Sequence, residues 1–88
     1  MLRITAAATP PHLVTLRLEG LLIDRWVREL KNSCDDALAD SGRVVLDLVG
    51  VSFIDQHGLA LLRTLSNRDV ALINASPFVT QQLRGAGL

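Results

Sequence analysis

The sequence predicts an α/β fold: a single small domain with one mixed β-sheet of about four strands and helices packed mainly on one face. Three observations lead there. Apolar and polar residues alternate over Leu13–Glu19, and a short apolar run led by β-branched residues follows at Val44–Val49. Both patterns are marks of strands. Apolar residues recur at helical spacing over 25–39, and again at Leu59, Leu62 and Leu65. The later order, strand–helix–strand–helix–strand, implies parallel pairing and right-handed crossovers. The two clearest strands each carry one apolar face and one face with a charge, Arg17 in the first and Asp47 in the second. The helices should therefore crowd onto the apolar face. The other face is expected to stay partly open, with Thr15, Arg17, Val45 and Asp47 on it.

The elements follow in order. Met1–Thr5 alternates and reads as a first strand, antiparallel to the next. The stretch 6–12 contains Pro10-Pro11 and reads as a loop. Leu13–Glu19 is the second strand, and Gly20 is expected to end it. Asp24 is an N-cap candidate for a helix over 25–39, whose buried stripe is Trp26, Val27, Leu30, Cys34, Ala37 and Leu38. Ser41-Gly42 stops that helix. Val44–Val49 is the central strand; Gly50 punctuates it, and Val51–Ile54 is a second extended piece. Asp55 is the N-cap candidate of the next helix, and Asn67 ends it. Asp69–Asn74 is the last strand. Ser76 caps a short third helix with Pro77 in its first position. Gly85–Leu88 reads as a frayed end.

At 88 residues the chain is expected to be one domain, 1–88, with an aliphatic core because aromatics are scarce. A formal net charge of zero argues against a nucleic-acid partner. It also removes the charge repulsion that opposes self-association, so a weak homodimer is among the expected partners. The lone cysteine, Cys34, has no internal disulfide partner and reads as a buried, inert thiol. No leader pattern opens the sequence, and no apolar run approaches the ~20 residues of a membrane span. A cytoplasmic protein without membrane insertion is the expectation.

Chemistry-bearing residues concentrate at Asp55-Gln56-His57-Gly58. A helix start offers free backbone N–H groups and a positive dipole end. As a cap alone, Asp55 is replaceable by Asn. Gln56 has no ionisable or nucleophilic group. His57 reads as an exposed polar residue of the first turn, with pH sensing, phosphohistidine or metal ligation as the alternative roles. The other histidine, His12, lies in the proline loop, and no second ligand completes a metal-binding spacing. Ser33 and Ser52 read as structural hydroxyls, and Trp26 as core or as an interface anchor. Catalytic, cofactor and metal sites are all expected to be absent, and with them enzyme activity.

The set Val45-Leu46-Asp47-Leu48, Val51-Ser52-Phe53-Ile54-Asp55 and Gly58-Leu59 resembles the signature of STAS domains, the bacterial anti-sigma-factor antagonists and their relatives in sulfate transporters. The resemblance spans most of the chain in element order. In that family the loop reads Asp-Ser-Ser/Thr-Gly-Leu, and the first Ser is often phosphorylated by a partner kinase. Here Gln56 stands at that position. The resemblance implies a regulatory protein–protein interaction module with Asp55, Gln56, His57 and Gly58 at the partner surface. The implied partner is an anti-sigma factor or a related histidine-kinase-like protein, without phosphorylation at Gln56. The alternative is a small STAS accessory subunit on the ATPase of a lipid-transporting ABC complex, which the run Gly58-Leu59-Ala60-Leu61-Leu62 also resembles.

Overall fold

The two alternating runs become neighbouring parallel strands at the centre of a four-stranded sheet. The computed structural model describes residues 1–9 and 12–88. Its elements are β1 (Leu2–Thr9), β2 (Leu13–Leu22), α1 (Arg25–Ser41), β3 (Val44–Ile54), α2 (Gln56–Ser66), β4 (Val70–Ile73) and α3 (Pro77–Gly85). The sheet order is β1-β2-β3-β4, with β1 antiparallel to β2 and the other pairs parallel. Leu16, Leu18 and Leu22 of β2 and Val44, Leu46 and Leu48 of β3 are buried, together with Leu30, Cys34, Leu62, Leu65 and Val79 from the helices. The opposite face carries Thr15, Arg17, Val45 and Asp47, all of which keep contact with solvent. Among the described residues, no helix is long and apolar enough to cross a membrane.

Three strands differ in extent from the sequence expectation, and pairing is the reason each time. β1 runs past Thr5 to Thr9 because Ala6, Ala7 and Ala8 find partners in Leu16, Thr15 and Val14. The Pro10-Pro11 part of the predicted loop lies outside the described residues. β2 continues through Gly20 to Leu22 because Leu21 and Leu22 pair with Phe53 and Ile54. β4 is shorter than 69–74, since its register with β3 spans only Val70–Ile73.

β3 is one continuous strand, where the sequence suggests two pieces. It carries an extra residue between Asp47 and Gly50, opposite Arg17–Glu19, and another between Val51 and Phe53, opposite Gly20–Leu21. Each bulge shifts the alternation by one residue. The buried positions therefore run Val44, Leu46, Leu48, Val51, Ile54, while β2 keeps its even-numbered alternation through Leu22. The extra residues carry β3 beyond β4 and leave its far edge unpaired by any strand. α3 covers that edge. The Gln82 side chain accepts from the Ile54 N–H (3.1 Å) and donates to the Ile54 carbonyl (2.8 Å), the two bonds a neighbouring strand would make.

The chain end is ordered, not frayed. Leu88 donates to the Leu83 carbonyl (2.9 Å) and Gly87, at φ 81°, donates to Arg84 (3.0 Å). This is a Schellman closure with glycine at the left-handed position. It returns Leu88 to the edge of the core. The Arg63 guanidinium of α2 donates to the Ala86 carbonyl and ties this end down.

Candidate functional site

β2 and β3 end side by side, so α1 and α2 begin beside one another, and Asp55 stands between the two starts. Its backbone is extended (φ −82°, ψ 177°), as an N-cap requires. One carboxylate oxygen accepts from the Gly58 N–H at 2.8 Å and caps α2. The other accepts from the backbone N–H of Asp24, at the start of α1, at 2.9 Å. The Asp55 N–H in turn donates to the Leu22 carbonyl (3.1 Å). Partial burial pulls the Asp55 carboxyl upward. The Asp24 and Gly58 N–H donors, with His57 beside them, outweigh it and hold the group below the usual carboxylate range. The carboxylate is thus kept ionised and fully engaged with the backbone, which suits it to positioning and not to proton transfer.

Asp24 departs from expectation. It occupies the N-cap position of α1 but makes no side-chain cap hydrogen bond. Its backbone sits at φ 50°, an uncommon conformation for a residue with a Cβ, which costs about 1–3 kcal/mol. Asp55 accepts the N–H that this conformation presents, so the cap of α2 also secures the strained entry to α1. Ser76 does cap α3, accepting from the Val79 N–H at 3.1 Å.

The four loop residues separate by environment. Gly58 is buried: a Cβ there would lie 2.7 Å from Ile54 Cγ2 and 2.8 Å from the Leu22 carbonyl oxygen. A side chain would push α2 off the strand ends. Gln56 and His57 are exposed. His57 borders a shallow groove whose other wall is the start of α1, with Arg25, Arg28 and Lys31. The Arg25 guanidinium lies over the Trp26 ring, 4.8 Å from its centroid.

Two aromatic residues to which the sequence assigns no role of their own belong to the surroundings. Phe53, two residues before Asp55, and Phe78, in the first turn of α3, stack with centroids 6.3 Å apart. They remain 41 % and 56 % exposed. With so few aromatics in the chain, their mere presence was the available signal. Ser52 has a structural contact, donating to the Gly20 carbonyl (3.3 Å). Cys34 is buried, and that burial, followed by the neighbouring Asp35 charge, pushes its thiol up to about 11. Among the described residues no His, Cys, Asp or Glu cluster is arranged to hold a metal ion.

Residues 5–88 match the family model described as "Mlab, STAS domain". No curated protein matches the sequence. Among solved structures, the unphosphorylated form of the anti-sigma factor antagonist SpoIIAA superposes with a TM-score of 0.71 at 18% identity, over 93% of this chain and 82% of that one. An antisigma-factor antagonist STAS domain from Rhodobacter sphaeroides gives 0.68 at 18% identity, over 86% of this chain and 92% of its own. An uncharacterised protein with a SpoIIAA-like fold from Shewanella loihica gives 0.59 at 14% identity, over 98% and 77%. At these identities the structures establish a shared fold.

Proposed function

The chain belongs to the Mlab STAS domain family, and from that membership we propose a non-enzymatic regulatory module that works by binding a protein partner. The observation that carries this reading is the double use of Asp55. Its carboxylate is spent on holding two helix starts, which fixes Gln56 and His57 as an outward-facing pair on a rigid base. Rigid display of exposed side chains suits recognition. In this reading Gln56, His57 and the outward side of α2 meet the partner, Asp55 positions them, and Gly58 seats the loop. An anti-sigma factor or kinase-like protein is the partner class that the STAS resemblance implies. Gln56 favours a second reading, an accessory subunit on an ABC ATPase, because such a subunit needs no phosphorylated hydroxyl to operate. The identity of neighbouring genes separates the two.

Calorimetric titration against the partner encoded alongside this chain tests the site. Gln56→Arg places a long cation on the loop without touching the core. The variant should melt as the parent does and bind at least tenfold more weakly, a loss of about 1.4 kcal/mol. Unchanged affinity would move the interface off this loop.

A further inference from the structure

β1 is an edge strand of the sheet, paired on one side only, with β2. Leu21 donates its N–H to the Met1 carbonyl (2.9 Å), and the β1–β2 register continues from there to Thr9↔Leu13 without a bulge. In an antiparallel ladder the bonded pairs alternate. Odd-numbered β1 residues therefore exchange hydrogen bonds with β2, and Leu2, Ile4, Ala6 and Ala8 turn their N–H and C=O groups to the free edge. The even-numbered residues of β2 bond the other way, toward β3, as Val14 does to the Arg43 carbonyl (3.1 Å).

This edge lacks the features that usually block strand addition. No proline or bulge interrupts Leu2–Thr9, and Arg3 is its only charge. On the helix side, Ile4, Ala6 and Ala8 line an apolar groove against Ala37 and Asp40 of α1. α1 packs mainly on β2 and β3. On that side Leu2 is buried and Ile4 half-buried, while Ala6 and Ala8 stay exposed.

We propose that the occupant of this edge is a second copy of the chain, joined β1 to β1 in antiparallel fashion about a two-fold axis at Thr5. One register engages all the outward groups: Leu2 opposite the second copy's Ala8, and Ile4 opposite its Ala6, each pair exchanging two hydrogen bonds. In that register every large side chain of the groove faces a small one. Arg3 meets Ala7 and not its own copy, and the two Thr5 residues pair directly, a favourable cross-strand combination. The chain's zero net charge adds no long-range repulsion. The interface is one strand wide, so the dimer should be reversible. It uses nothing from the Asp55 junction and leaves both copies of that loop free.

Sedimentation across a wide concentration range tests the association, and cysteine cross-linking tests the register. Facing residues of a non-hydrogen-bonded pair stand about 4.5 Å apart at Cα, within disulfide reach. Thr5→Cys should form a disulfide-linked dimer on mild oxidation at least tenfold faster than Ala7→Cys, while the buried Cys34 stays reduced. Ala6→Pro removes an outward N–H without breaking a bond to β2, and Thr5→Lys sets two cations face to face. Both should stay folded by circular dichroism and sediment as monomers at concentrations where the parent dimerises. A parent that remains monomeric throughout, or an Ala7→Cys variant that cross-links as readily as Thr5→Cys, overturns the proposal. If Ala6→Pro unfolds, Thr5→Lys still decides: a folded Thr5→Lys dimer counts against it.

Discussion

Each oxygen of the Asp55 carboxylate has its own backbone donor, so an amide in its place leaves one donor facing an NH2 group. Asparagine serves as well as aspartate at a simple cap, but Asp55 serves two helices. Asp55→Asn should therefore cost about 1–3 kcal/mol, the price of a stranded polar group, as a lower midpoint in a urea melt. The same bonds set a pH dependence. The folded pKa lies below the unfolded value, so the unfolded chain binds the proton more readily. The stabilisation is complete above the ordinary carboxylate range near pH ~4 and is lost as pH falls through the lower folded pKa. Urea melts between about pH 5 and about pH 3 should show a steeper loss for the parent than for Asp55→Asn. Equal slopes would assign the acid sensitivity to other carboxylates.

At the scale of elements, β3 is the strand on which everything else is placed. Leu46 is fully buried at its centre, between β2 and β4 and beneath the helices. Leu46→Ala should cost about 2–5 kcal/mol in a urea melt, and a loss below about 1 kcal/mol would reject its place in the core. The bulged end of β3 relies on α3 as a substitute for a strand. Gln82→Ala removes both bonds to Ile54. The Ile54 amide should then exchange with solvent much faster, with the Leu46 amide little changed. Equal protection in variant and parent would mean that packing of α3, and not the Gln82 amide, closes the edge.

For the molecule as a whole, stability resides in the aliphatic core and not in surface charge. The ion pair of Asp35 with Arg68 (2.7 Å) links α1 to the turn after α2, and that with Lys31 (2.9 Å) lies within α1, but all three side chains are substantially exposed and water screens them. The helices occupy one side of the sheet, and the Asp55–Gly58 loop sits at the end of its central parallel strands. That loop presents no hydroxyl at Gln56, so intact-mass analysis after incubation with a cognate kinase and ATP should find no phosphate mapped to residues 55–58. A phosphate there would implicate His57 and restore a switching role to the loop.

Much of this arrangement can be read along the chain. Helix and strand periods are local properties, so the element order, the core-facing stripe of α1 (buried at Leu30, Cys34 and Ala37, partly buried at Trp26, Val27 and Leu38), the caps at Asp55 and Ser76 and the apolar face of Leu46 are all legible, as is the family motif. Other features depend on which strands become neighbours. β1 and β2 extend because partners lie beside them, and the bulges of β3 become visible only against the regular alternation of β2. Asp55 reaches the Asp24 amide across 31 positions, Gln82 reaches Ile54 across 28, and Phe53 meets Phe78 only because α3 folds back on the sheet. Gly58 looked like part of a surface motif, but the folded chain buries it against Leu22 and Ile54. Periodicity records which way a residue faces within its own element; what it faces is decided when distant segments pack, because hydrogen bonds and steric contacts act through space.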